Sequence, residues 1–186
     1  MRRHLYGYFN RMRGLEAPPS RARLSHVIWS GIGAFLGIYL ISVLHKYMFM
    51  NVSDTLFLVG SFGASSVLIY GVPQAELSQP RNLIGGHILS ACIGITVYKY
   101  IPLETSVLSA LAVSLSIVVM HFTRTLHPPG GATALIAVIG SSQIHELGYK
   151  FVITPIATGA FILLMIALAV NNMSNNPKRH YPRYWW

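Results

Sequence analysis

The stretch RTLHPPGGATALIAV, Arg124 to Val138, sets a guanidinium, an imidazole, paired prolines, paired glycines and a threonine hydroxyl between two long apolar runs. Proline inside a helix removes a ladder hydrogen bond and clashes with the preceding turn, so these residues suit a helix that begins here. A helix starting within a membrane exposes backbone N–H groups and the positive end of its macrodipole, which together favour an anion. The expected free donors are the amides of Gly130, Gly131, Ala132 and Thr133, with the Thr133 hydroxyl adding one more. Pro128 and Pro129 carry no N–H to strand, and the glycines let a ligand approach the main chain. Arg124 and His127 add a cation and a group that titrates near neutrality, which opens a route to proton coupling. For Arg124 the alternative role is a structural bond to carbonyls freed by the break.

A second stretch, SFGASS, offers the same small and hydroxyl-bearing types at Ser61, Phe62, Gly63, Ala64 and Ser65. Two half-helix starts facing each other near the bilayer midplane would hold a small anion, and neither stretch contains a carboxylate to repel it. Arg81 and Asn82 are placed to form a cytoplasmic mouth, or to pin their loop to lipid headgroups. His87 and His121 read more readily as packed histidines bonded to carbonyls; axial ligation of a haem is the rival use. Cys92 reads as a small apolar residue. No Ser-His-acid order, HExxH motif or carboxylate pair is present, so an enzyme is not expected, and neither is a metal or cofactor.

These residues need a membrane scaffold to position them. The chain has 186 residues, 53% of them hydrophobic and only 10% charged, where soluble domains carry about 25% charged residues. Of its fourteen Lys and Arg, nine lie in the two tails. That is the positive-inside pattern, with both termini cytoplasmic and an even number of crossings. The +9 net charge is therefore read as contact with an anionic cytoplasmic leaflet, not as nucleic-acid binding. Residues 1–24 form a basic segment in which Leu5, Tyr8, Met12 and Leu15 give an amphipathic helix stopped by Pro18 and Pro19. Residues 25–172 form a single transmembrane domain, and residues 173–186 a basic, aromatic tail that anchors at the interface.

Apolar segments are expected at about 25–47, 55–72, 83–101, 105–122, 131–140 and 151–170. The fifth is short: ten helical residues rise about 15 Å, against a hydrocarbon thickness of about 30 Å. Extended chain from Leu126 to Gly130 would cover the rest, since proline pushes its predecessor out of the helical region. A shift of 68 residues lays SFGASSVLI (61–69) on PGGATALIA (129–137). The fold class is thus an all-α membrane protein of two three-segment repeats, about 25–101 and 105–170, inverted, each with a broken middle segment. Four transmembrane helices with two re-entrant half-helices are the alternative. Gly31, Gly33 and Gly37 allow close helix approach, and glycine-lined faces suggest a homo-oligomer.

TLHPPGGATALIAV, VGSFGASSVLIYGVP and QPRNLIGGHILSACIG, in this order, resemble the HPP family of integral membrane proteins, whose His-Pro-Pro set is here His127, Pro128 and Pro129. The likeness runs from about Leu24 to Asn171. It implies four transmembrane segments as the family is usually described, and nitrite transport as in its plant and cyanobacterial members. The C-terminal CBS module of some bacterial members is not expected after the short tail seen here. The reading is transport of a small monovalent anion, nitrite first, across the cytoplasmic (inner) membrane. The alternatives are a structural or signalling membrane protein and a haem-binding redox module.

Overall fold

A computed structural model describes residues 17–18, 20–47 and 52–186. The expected amphipathic segment of residues 1–16, and Pro19, lie outside the described residues. Among the described residues six apolar helices form the bundle: α1 (Leu24–Tyr47), α2 (Val52–Ser66, continuing in a π-turn over Val67–Gly71), α3 (Pro80–Tyr100), α4 (Thr105–Phe122), α5 (Pro128–Ile139) and α7 (Thr158–Asn172). A short α6 (Ser142–Leu147) fills the loop before α7, and π-turns over Val152–Ala157 lead into α7 with Thr154 off the helical path. Five of these stretches are long and apolar enough to cross a membrane, and α5 is the short one. No strand occurs among the described residues.

Proline placement separates α2 from α5. The expected break at SFGASS is corrected: Ser61 to Ser65 lie inside α2, and their amides belong to its ladder. Glycine and serine weaken a helix without ending it, and the Ser65 hydroxyl turns back to the Ser61 carbonyl at 3.3 Å. No proline follows until Pro73. In the other half, Pro128 and Pro129 occupy the first helical positions, where a missing N–H costs nothing and the fixed φ is already helical. His127 before them is extended (φ −141°, ψ 103°). The helix α5 therefore starts at Pro128, three residues earlier than the expected start at Gly131, directly after the extended His127.

The bundle centre is closed by small residues. A Cβ on Gly94 of α3 would stand 2.5 Å from the Ala134 carbonyl of α5, and one on Gly86 would stand 2.5 Å from the His127 Cβ. These contacts lay α5 parallel to α3 at near backbone distance. Gly33 and Gly37 of α1 give the Tyr70 ring its seat, while a Cβ on Gly31 would meet none of the described residues within 4 Å. Large apolar residues on α1 and α4, such as Phe35, Tyr39, Val118 and Phe122, face outward.

The C-terminal tail is tied to the bundle by Arg179, which is fully buried. It donates to the His26 and Tyr70 carbonyls, the Ser30 hydroxyl and the Asn171 side chain at 2.6–3.1 Å. The Tyr181 hydroxyl donates to the Ser78 carbonyl at 2.8 Å, and burial pushes its phenol above the usual range. Residues 24–30, 70–79 and 171–183 thus meet at one end of the bundle.

Candidate functional site

Two features share that end: a cleft, and beneath it a buried polar network. The cleft holds about 580 Å³ and is lined by Glu76, Leu77, Arg81, Asn82, His121 and Arg124, with Tyr184 and Trp186 of the tail on one wall. Arg81 opens α3 and donates to the Thr123 carbonyl at 2.6 Å; Asn82 donates to the Leu126 carbonyl at 2.8 Å. These bonds draw the turn and the non-helical run over residues 123–127 down beside the first turns of α3. The Asn82 Oδ1 is buried without a partner among the described residues.

Arg124 is exposed at the cleft rim, because α4 ends just before it and it takes the left-handed turn (φ 56°) that usually falls to glycine. It therefore adds charge to the mouth.

Below the cleft, His127 reaches the level of Gly86, six residues into α3 and so about 9 Å in at 1.5 Å per residue. There α2, α3 and α5 meet, and side chains from all three are bonded in series. The His127 Nδ1 faces the Leu77 carbonyl at 2.8 Å, and its Nε2 lies 2.9 Å from the Ser65 hydroxyl. Ser65 lies 2.8 Å from the His87 Nε2, and the His87 Nδ1 lies 2.8 Å from the Thr133 hydroxyl. Ser61 closes the series, 3.0 Å from both the Thr133 hydroxyl and the Pro129 carbonyl. All five residues are buried, and Phe62 packs on the His87 ring at 5.1 Å between centroids.

The expected backbone donors are not free. The prolines remove two orphan amides, and Gly130 N–H donates to the His127 carbonyl at 2.8 Å. Gly131, Ala132 and Thr133 lie within the helix, so their amides join its ladder. Pro128, Pro129 and Gly130 thus make a start with nothing left over. What remains from the expected set are side chains: Ser61, Ser65, His127 and Thr133. Gly63, Ala64 and Ala132 carry no polar side chain, and Phe62 serves as an apolar wall.

His87 is packed as expected, but its partners are two hydroxyls and not a carbonyl. Both its ring nitrogens are engaged, so neither is open to a haem iron, and its expected haem partner His121 is exposed at the cleft. A lone histidine in an apolar helix gave no sign that its neighbours would be two hydroxyls from other helices.

The sequence profile described as HPP, transmembrane region, matches residues 19–182. A transmembrane protein of Dictyostelium discoideum is 46% identical over 182 residues, covering 96% of this chain and 57% of its own. A second from the same organism is 43% identical over 188 residues, covering 98% of this chain and 65% of its own. This chain therefore spans about three-fifths of the length of these curated relatives. No solved structure matches it. With the profile match running through every helix of the bundle, this chain is an integral membrane protein of the HPP family.

Proposed function

We propose that this domain moves a small monovalent anion across the membrane, nitrite first, through the cleft and the polar network beneath it. The observation that carries the reading is a fully buried row of hydroxyls and imidazoles where α2, α3 and α5 meet, under a mouth with two arginines and one glutamate. Buried polar residues at bilayer depth are costly and mark a path for solutes more often than a fold requirement. Side-chain donors would replace the backbone amides as the groups that meet the anion. In the state described, these groups satisfy one another, which corresponds to a closed path. A solute would enter by taking over those bonds.

The layout favours six crossings, with the non-helical run 125–127 and α5 together making the fifth. α5 runs parallel to α3 from the cleft end, and both termini then share the cytoplasmic side. Contacts between repeat-equivalent positions support an inverted pair: Ser61 bonds Pro129, 68 residues on. Residues near a two-fold axis would touch their own equivalents in this way.

Proteoliposomes provide the test. Nitrite uptake should exceed that of protein-free vesicles, and the Arg81→Ala/Arg124→Ala double variant should fall at least tenfold, equivalent to about 1.4 kcal/mol. Folded protein without nitrite, nitrate, formate or bicarbonate flux would overturn the transport reading and leave a structural or signalling role.

A further inference from the structure

With both rings neutral, one acceptor-only partner sets the hydrogen positions from His127 back to Thr133. The Leu77 carbonyl cannot donate, so the His127 Nδ1 carries the proton and its Nε2 is a bare lone pair. That lone pair requires the Ser65 hydroxyl proton, which lies nearer to it, at 2.9 Å, than to its other acceptor, the Ser61 carbonyl at 3.3 Å. Ser65 then has nothing to give His87, so the His87 Nε2–H donates to Ser65 and the His87 Nδ1 is bare. Thr133 donates to that nitrogen, and the single Ser61 proton has two acceptors at 3.0 Å, the Thr133 oxygen and the Pro129 carbonyl. From Thr133 onward every bond points the same way, toward the cleft. The two histidines are opposite tautomers.

The same atoms accept one further proton without breaking the series. If the His87 Nδ1 binds H⁺, the Thr133 hydroxyl turns to the Pro129 carbonyl, 3.3 Å away, and Ser61 turns to the same carbonyl at 3.0 Å. The extra charge then passes through Ser65: the His87 Nε2–H moves to the Ser65 oxygen as the Ser65 proton moves to the His127 Nε2. Both rings keep Nδ1–H, and one Nε2 proton is shared between them. A second proton would set two cations with ring centroids 5.1 Å apart. We propose that His87, Ser65 and His127 form a binding site for a single exchangeable proton, taken up as co-substrate with the anion.

The surroundings tie that proton to an anion. α2 contributes Ser61, Ser65 and Phe62; its Asp54 is occupied at the far end by Ser141. α1 contributes His45, whose ring touches Phe62 at 6.3 Å. α4 contributes Met120, beside Ser90, and the exposed His121; Arg81, Arg124 and Glu76 stay in the cleft. α5 and α7 present no charged side chain to the network; α7 presents Gly159, against Phe62. No carboxylate bonds the network among the described residues, so an imidazolium there lacks a fixed counter-charge, and a travelling anion supplies one. The series also has a polarity: a proton received at the Thr133 end is released from the His127 Nδ1 once water displaces the Leu77 carbonyl.

This inference rests on the transport reading, and the experiment separates the two. Selectively ¹⁵N-histidine-labelled protein in nanodiscs is titrated with and without nitrite, and nitrite and proton uptake are followed together in proteoliposomes against protein-free vesicles. At high pH His127 should show Nδ1–H and His87 Nε2–H. On acidification the His87 Nδ1 gains a proton, one proton enters per chain, and the two Nε2 signals move jointly; nitrite should promote the change. In Ser65→Ala the Nε2 signals should respond separately. Nitrite flux with no change at the His87 Nδ1, or independent titration of the two rings, overturns the shared-proton site and leaves transport standing. A joint titration without any anion flux overturns transport and retains the site.

Discussion

At the scale of residues, polar groups work here because their partners lie on other helices. Thr133 alone is an ordinary helical threonine; beside His87 and Ser61 it completes a buried series. Thr133→Val should leave the His87 Nδ1 without its donor and cost about 1–3 kcal/mol. A fall in the midpoint of thermal unfolding in detergent checks this, and an unchanged midpoint would show that the series does not stabilise the bundle. Arg124 differs, since its charge serves the mouth while its backbone pays for a left-handed turn. Arg124→Gly should leave stability unchanged or raise it by up to about 1 kcal/mol. Nitrite uptake should fall in the same protein, so the two readouts move apart.

At the scale of elements, the contact between α3 and α5 decides where the network sits. Gly94 has the α5 backbone against it, whereas a Cβ on Gly131 would meet only a Val113 methyl at 3.7 Å. Gly94→Ala should therefore cost about 1–3 kcal/mol through overpacking, while Gly131→Ala should be tolerated. Detergent melts of the two variants compare them directly; equal losses would mean that α5 does not lie this close to α3. The paired prolines have an element-level meaning too. They leave α5 a start with few unmatched amides, so a helix can begin beneath the cleft without water or ligand to satisfy it.

At the scale of the molecule, the tail locks the cleft end. Arg179 joins α1, the end of α2 and α7, and Tyr181 ties the same tail to the loop that carries Leu77. Arg179→Gln should remove several charge-assisted bonds and leave buried acceptors unmatched, costing about 3 kcal/mol. For a chain of this size that is a fall of about 6–12 °C in Tm. Limited proteolysis should then cut the tail first, and an unaltered Tm would show that the clamp is dispensable.

Amino-acid order alone determined the membrane class, the approximate ends of the apolar segments, the short fifth helix and the family, because hydrophobic length and proline position are local quantities. It also marked Arg81, Asn82, His87 and His127 as residues of interest. Only the tertiary structure decided that SFGASS stays helical, that the α5 amides are already satisfied, that Arg124 stands at the rim and that Arg179 is buried. Each of these depends on which group lies opposite across a helix interface. Hydrogen bonding and burial are properties of pairs, and the chain brings those pairs together from 62 residues apart for Ser65 and His127 and from 109 for Tyr70 and Arg179.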